Sequence, residues 1–112
     1  MINVNILKKD CLIKRIEIEG HANYSVKGSD IVCAGVSSVV IGCINSIDEI
    51  CKDTIFKLEI NEKKGSIKYN SIKSTENEQL LLRSLLISLK CIEKNYSDYI
   101  NINMKEVKYW WC

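Results

Sequence analysis

The chain has 112 residues, 46% of them hydrophobic and 27% charged, which fits one globular domain and is too short for two independent cores. Sixteen Lys and Arg against fourteen Asp and Glu leave a net charge of +2, and their interleaving gives no basic stripe of the kind that binds nucleic acid. No run reads as the roughly 18 apolar residues of a membrane span. Residues 1–9 alternate instead of forming the continuous hydrophobic region of a secretion signal, so a cytoplasmic protein without membrane contact is expected.

Ile2, Val4 and Ile6 alternate with Asn3 and Asn5, the period of a half-buried strand. Lys8, Lys9 and Asp10 read as a polar break, after which Ile16 and Ile18 alternate with Arg15, Glu17 and Glu19 in a second strand that stops at Gly20. The two are expected to form a hairpin. From His21 to Asp30 the pattern dissolves into small and polar residues around Gly28 and reads as a loop. Spacings of three and four then run through Cys33, Val36, Val40, Cys43, Ile44, Ile47, Ile50 and Cys51, a helix that Ser29 or Asp30 can cap. Ala34, Gly35, Ser37 and Gly42 make it small-sided, so a neighbour can come close.

Phe56, Leu58 and Ile60 mark a third strand, residues 62–65 a turn, and Ile67 with Tyr69 a fourth strand. Thr75 followed by Glu78 has the spacing of a capping box. It opens a helix carrying Leu81, Leu82, Leu85, Leu86, Leu89 and Ile92, and Tyr99, Ile100, Ile102 and Met104 give a last strand. The order ββαββαβ predicts an α+β domain over residues 1–112, with two helices packed on a mainly antiparallel sheet. Strand order is not fixed by this pattern. The apolar tail Tyr109, Trp110, Trp111 and Cys112 should tuck onto the domain or meet a partner.

Six cysteines would indicate disulfides in a secreted chain, but in a reducing compartment they read as thiols. With no Cys-x-x-Cys pair and one histidine, neither a zinc site nor another metal is expected. Cys43, Cys51 and Cys91 lie on apolar helical faces and read as core, and Cys11 falls at a turn. Cys33 differs, because it stands in what reads as the first turn of a helix, where the positive end of the helix dipole favours the thiolate. The only base to match it is His21, twelve residues earlier and close enough for the loop to fold back. Helix-start amides, including that of Cys33, would be free to hold an oxyanion. The plainer readings stay open: a surface histidine, a buried free cysteine, and Asp30 as a simple cap.

Gly20-His21-Ala22 with Tyr24, then Gly28, then Asp30-Ile31-Val32-Cys33-Ala34 with Val36-Ser37, closely resemble the signature of the ribosomal-processing cysteine proteases, the Prp family. The likeness covers the chain in length and element order, but its specificity rests on this stretch of about twenty residues. The resemblance implies an endopeptidase that removes the N-terminal extension of bacterial large-subunit ribosomal protein 27 through a thioester, with no cofactor. It implies His21 as general base and Cys33 as nucleophile. Asp30 and Ser37 would support the site, Gly20 and Gly28 would let the loop bend, and the enzyme would be a homodimer. Gly35 stands where the family more often has alanine. Two other classes remain: a non-catalytic ribosome-assembly factor that binds a ribosomal-protein tail, and a thiol redox enzyme. The latter is disfavoured because no second cysteine lies near Cys33 in sequence.

Overall fold

A computed structural model describes residues 1–20 and 29–108, with backbone alone for residues 29 and 30. The elements follow in the order β1 (Ile2–Lys9), β2 (Leu12–Glu19), α1 (Ser29–Ile50), β3 (Ile55–Asn61), β4 (Ser66–Lys73), α2 (Glu76–Asn95) and β5 (Ile100–Val107). They build one mixed five-stranded sheet of order β3-β4-β2-β1-β5. Three neighbouring pairs are antiparallel, and β1 with β5 is parallel. The α+β class and the ββαββαβ order are those the patterning indicates.

The alternation works as written. Val4, Ile6, Ile13, Ile16, Ile18 and Tyr69 are buried on one face of the sheet beneath the helices, with Val32, Val36, Val40, Ile44 and Ile47 of α1 and Leu82, Leu85 and Leu89 of α2. The opposite face stays polar; Asn3 and Asn5 stand beside Asn101 and Asn103 across the parallel pair, and Asn103 donates to Asn5 Oδ1 at 3.3 Å.

Several expectations need correction. Lys8 and Lys9 belong to β1, and the turn is only Asp10 and Cys11, both at positive φ (50° and 70°). That is the backbone twist a two-residue hairpin requires. Cys91 is exposed, and Cys51 is buried just past the end of α1. The segment Ile31–Ile50 is, by length and composition, apolar enough to cross a membrane, with 28% of it buried. One face of this helix fills the core, and the other leaves Ile31 65% exposed. The tail residues 109–112 lie outside the described residues.

Two buried polar groups tie α2 to the sheet. Between Leu7 and Lys8 the β1–β2 register shifts, and β2 pairs with β4 only from Arg15 onward. The freed backbone of Ile13 is taken by Gln79, whose Oε1 accepts from the Ile13 N–H at 2.8 Å and whose Nε2 donates to the Ile13 carbonyl at 2.9 Å. Glu78 keeps only half of the capping box. Thr75 Oγ1 accepts from the Glu78 N–H at 3.3 Å. The Glu78 carboxylate turns inward instead, accepting from Tyr69 Oη at 2.6 Å and from Ser71 and Ser74 Oγ at 2.9 Å each. A fully buried carboxylate must be satisfied by internal donors, and β4 offers more of them than the cap does. Burial, followed by the hydrogen bond to Glu78, holds the Tyr69 phenol well above the ordinary range.

At Gly35 an added methyl would sit 3.9 Å from Ile92 Cδ1, in ordinary contact with α2. Gly35→Ala is therefore expected to raise stability by about 1 kcal/mol through helix propensity, read as a higher urea midpoint with unchanged m-value.

Candidate active site

The C-terminal end of β2, the N-terminal end of α1 and the turn joining β3 to β4 meet at one end of the sheet. Between them lies a cleft of about 280 Å³ whose wall includes Cys33, Ser37, Gly20, Ile18, Ile60 and Ile67. Ile2 and Val36 complete its apolar floor, and Asn61, Glu62 and Ser66 form a polar rim. Of the residues singled out from the sequence, the cleft thus brings together Cys33, Ser37 and Gly20. His21 and Gly28 lie outside the described residues. Asp30 is the second residue of α1, and its side chain too lies outside the description.

Cys33 is a free, half-buried thiol. Counted from Ser29 it is the fifth residue of α1, so its N–H has an acceptor four residues back within the helix. The expectation that the Cys33 amide is a free donor is corrected. The helix begins before its apolar spacing does, and the amides with no acceptor inside the helix belong to the turn ahead of Cys33. Side chains on a helix tilt toward its N-terminus, so the thiol still leans back over that turn and its donors. Ser37 lies one turn further on, exposed in the same cleft.

Gly20 closes β2 at φ +93°, and a Cβ there would lie 2.5 Å from the Met1 carbonyl oxygen. Both the left-handed backbone and the close approach demand glycine. Gly20→Ala is expected to cost about 2 kcal/mol or more and to lower kcat/KM of the folded fraction, because the residue forms the cleft wall. Normal kcat/KM in the folded variant would show that this wall does not matter.

The isoleucines at 2, 18, 60 and 67 were legible only as core-facing strand positions, and Glu62 only as part of a turn. No local signal marks them as cleft residues, since they converge through strand order. The other thiols sit in different surroundings. Cys43 donates weakly to the Leu81 carbonyl at 3.5 Å, and burial, with Cys51 nearby, pushes it up from 9.0 to about 11.

A half-buried thiol set in an apolar groove at the N-terminal end of a helix fits a cysteine protease, and the whole fold agrees. The ribosomal processing protease of Staphylococcus aureus, in complex with a substrate peptide, superposes with a TM-score of 0.87 at 31% identity, covering 94% of this chain and 100% of that one. The same enzyme with a covalently linked product peptide gives a TM-score of 0.85 at 32% identity, with coverage of 94% and 100%. The ribosomal processing cysteine protease of Bacillus subtilis is 34% identical over 95 residues, 80% of this chain and 84% of that protein. A family model described as cysteine protease Prp matches residues 1–101. The chain belongs to the Prp family of cysteine proteases.

Proposed function

We propose that the chain, acting over residues 1–112 as one protease domain, removes the N-terminal extension of large-subunit ribosomal protein 27 in the cytoplasm, using Cys33 and His21. The observation that carries this reading is the shared cleft: Cys33 lines it, and so does Gly20, the residue bonded directly to His21.

His21 takes the proton of the Cys33 thiol, and the thiolate attacks the scissile carbonyl. Amides of the α1 first turn, ahead of Cys33, receive the oxyanion. The protonated His21 then gives its proton to the leaving amine, and a thioester to Cys33 remains. Water, deprotonated by His21, hydrolyses the thioester and restores the thiol. The covalently linked product of the S. aureus enzyme is consistent with acylation of this kind. Asp30, the second residue of α1 and so past the N-cap position, complements the helix dipole or orients His21; Ser37 supports the cleft wall, and Gly20 and Gly28 flank the His21 segment in sequence. We also place a second copy of the chain against α1. Ile31, Ala34, Ser38, Ile41 and Asn45, spaced by three and four, share a helix face, and Ile31, Ala34 and Ser38 on it are exposed.

The test is direct: incubation with ribosomal protein 27 carrying its extension should yield the shortened protein by intact mass, and an unchanged mass would refute the reading. A tail-binding factor predicts a different thiol chemistry as well. At pH 7 on the order of one Cys43 in 10⁴ is ionised, and Cys51 is buried. Iodoacetamide should therefore label Cys33 ahead of the exposed Cys91, as peptide mapping will show. A binding module would be labelled first at Cys91.

A further inference from the structure

The two edges of the sheet are treated differently. At the β5 edge, the outward N–H of Ile102 donates to Glu93 Oε2 at 2.6 Å, so a side chain of α2 occupies a position that another strand would need. Native sheets guard their edges in such ways. At the β3 edge, no described side chain bonds the outward backbone groups. The strand is seven residues long and pairs on one side only, with β4.

This edge also carries an apolar shelf. Phe56, Leu58 and Ile60 point to the helix side of the sheet, in register with Ser71, Tyr69 and Ile67. Phe56 is covered, its ring stacked on Tyr69 at 5.0 Å. Leu58 remains 36% exposed and Ile60 53% exposed. The shelf does not end in solvent: Ile60 is also a wall of the Cys33 cleft. A free strand edge and a bare apolar ledge therefore lead to the nucleophile.

We propose that the peptide substrate docks by adding as a sixth strand to the outer edge of β3, its alternate side chains lying on Leu58 and Ile60 and its scissile bond delivered to Cys33. The inference rests on the protease reading and specifies how that site takes its substrate. An extended backbone supplies the hydrogen bonds, so affinity comes from main chain, and side-chain preference is confined to every second position. The required ligand is an extended segment with apolar residues at alternate positions. A helix could not present the edge with the groups it lacks, because its own backbone groups are bonded internally.

Backbone methylation of the substrate tests this without altering the enzyme. Synthetic peptides spanning the cut in the ribosomal protein 27 extension carry a single N-methyl amide, moved one residue at a time along the non-prime side. The expected result is a two-residue rhythm in kcat/KM: losses of about tenfold or more at positions whose N–H faces β3, the worth of a hydrogen bond or a little more, and near-parental values between them. Leu58→Lys should lower kcat/KM for the unmethylated peptide while iodoacetamide labelling of Cys33 is unchanged. Losses without a two-residue rhythm, with the parent peptide cut normally, overturn strand addition and leave the protease reading standing. A parent peptide that is not cut overturns both. If Leu58→Lys instead lowers the sedimentation coefficient and leaves kcat/KM intact, the edge belongs to a second copy and the proposal falls.

Discussion

Cys33→Ala is expected to abolish cleavage of the ribosomal protein 27 extension, with a loss of at least about 10⁴-fold, while the protein remains folded. Among the described residues nothing else lining the cleft can replace the sulfur, because Ser37 is a full turn further along α1 and the free thiols at 43, 51 and 91 do not line it. Removal of a nucleophile that works as a unit with its base takes away nearly all the chemical rate enhancement. The structural cost is small. Cys33 is only half-buried against the core, and alanine favours the helix. His21→Ala should act differently in size: it deletes a general base, typically worth about 10²–10⁴-fold, and leaves the sulfur in place, so a residual rate should remain where Cys33→Ala shows none. Intact-mass time courses from pH 6 to 9 measure both, and appreciable cleavage by Cys33→Ala would end the assignment of the nucleophile.

Legibility in the sequence followed the range of the interaction. Ile2, Val4 and Ile6, or Leu82, Leu85 and Leu89, report their element through period alone, because burial on one face is a local pattern. Strand order is not local. The parallel pairing of β1 with β5 joins Ile2 to Ile100 across the whole chain, and no spacing rule encodes it. The cleft divides along the same line. Cys33, Ser37 and Gly20 stand within one short stretch and were found through its resemblance to a known signature; Ile60 and Ile67 enter from a hairpin that only the sheet topology brings alongside. The depth of Cys33 in α1 was misjudged because the polar residues at 29 and 30 already belong to the helix. Apolar period marks where a helix touches the core rather than where it begins. The apolarity of α1 is hidden in the sequence pattern as well, since Gly35, Ser37, Ser38 and Gly42 break up a segment whose total is apolar enough for a membrane. Glu78 was misread for the opposite reason. Its spacing from Thr75 fits a local device, while its carboxylate serves a distant one.

Glu78→Ala is accordingly the substitution expected to harm the fold most. The side chain is 0% exposed and accepts from Tyr69, Ser71 and Ser74, with Gln79 Nε2 at 3.3 Å as a fourth donor. Truncation opens a cavity and leaves the Tyr69 hydroxyl without its acceptor; lost hydrogen bonds of this kind and the void together cost roughly 3–5 kcal/mol. That is a large share of the 5–15 kcal/mol typical of a domain. Glu78→Gln should cost only about 1 kcal/mol, since its carbonyl oxygen can still accept from the two serines and its amide can donate to the Tyr69 oxygen. The pair also separates the effect of charge from that of shape at high pH. The Tyr69 phenol is raised in the folded state by burial first and by Glu78 next. Its contribution to stability is therefore complete below the ordinary tyrosine value near 10 and is lost as pH rises beyond it. Urea unfolding of the wild type should show a midpoint that falls above about pH 10, and in Glu78→Gln, lacking the negative charge, the fall should level off at a lower pH. A fall that levels off at the same pH in the two proteins would mean that burial alone sets the tyrosine, and a Glu78→Ala protein as stable as wild type would mean that the three hydroxyls find other partners.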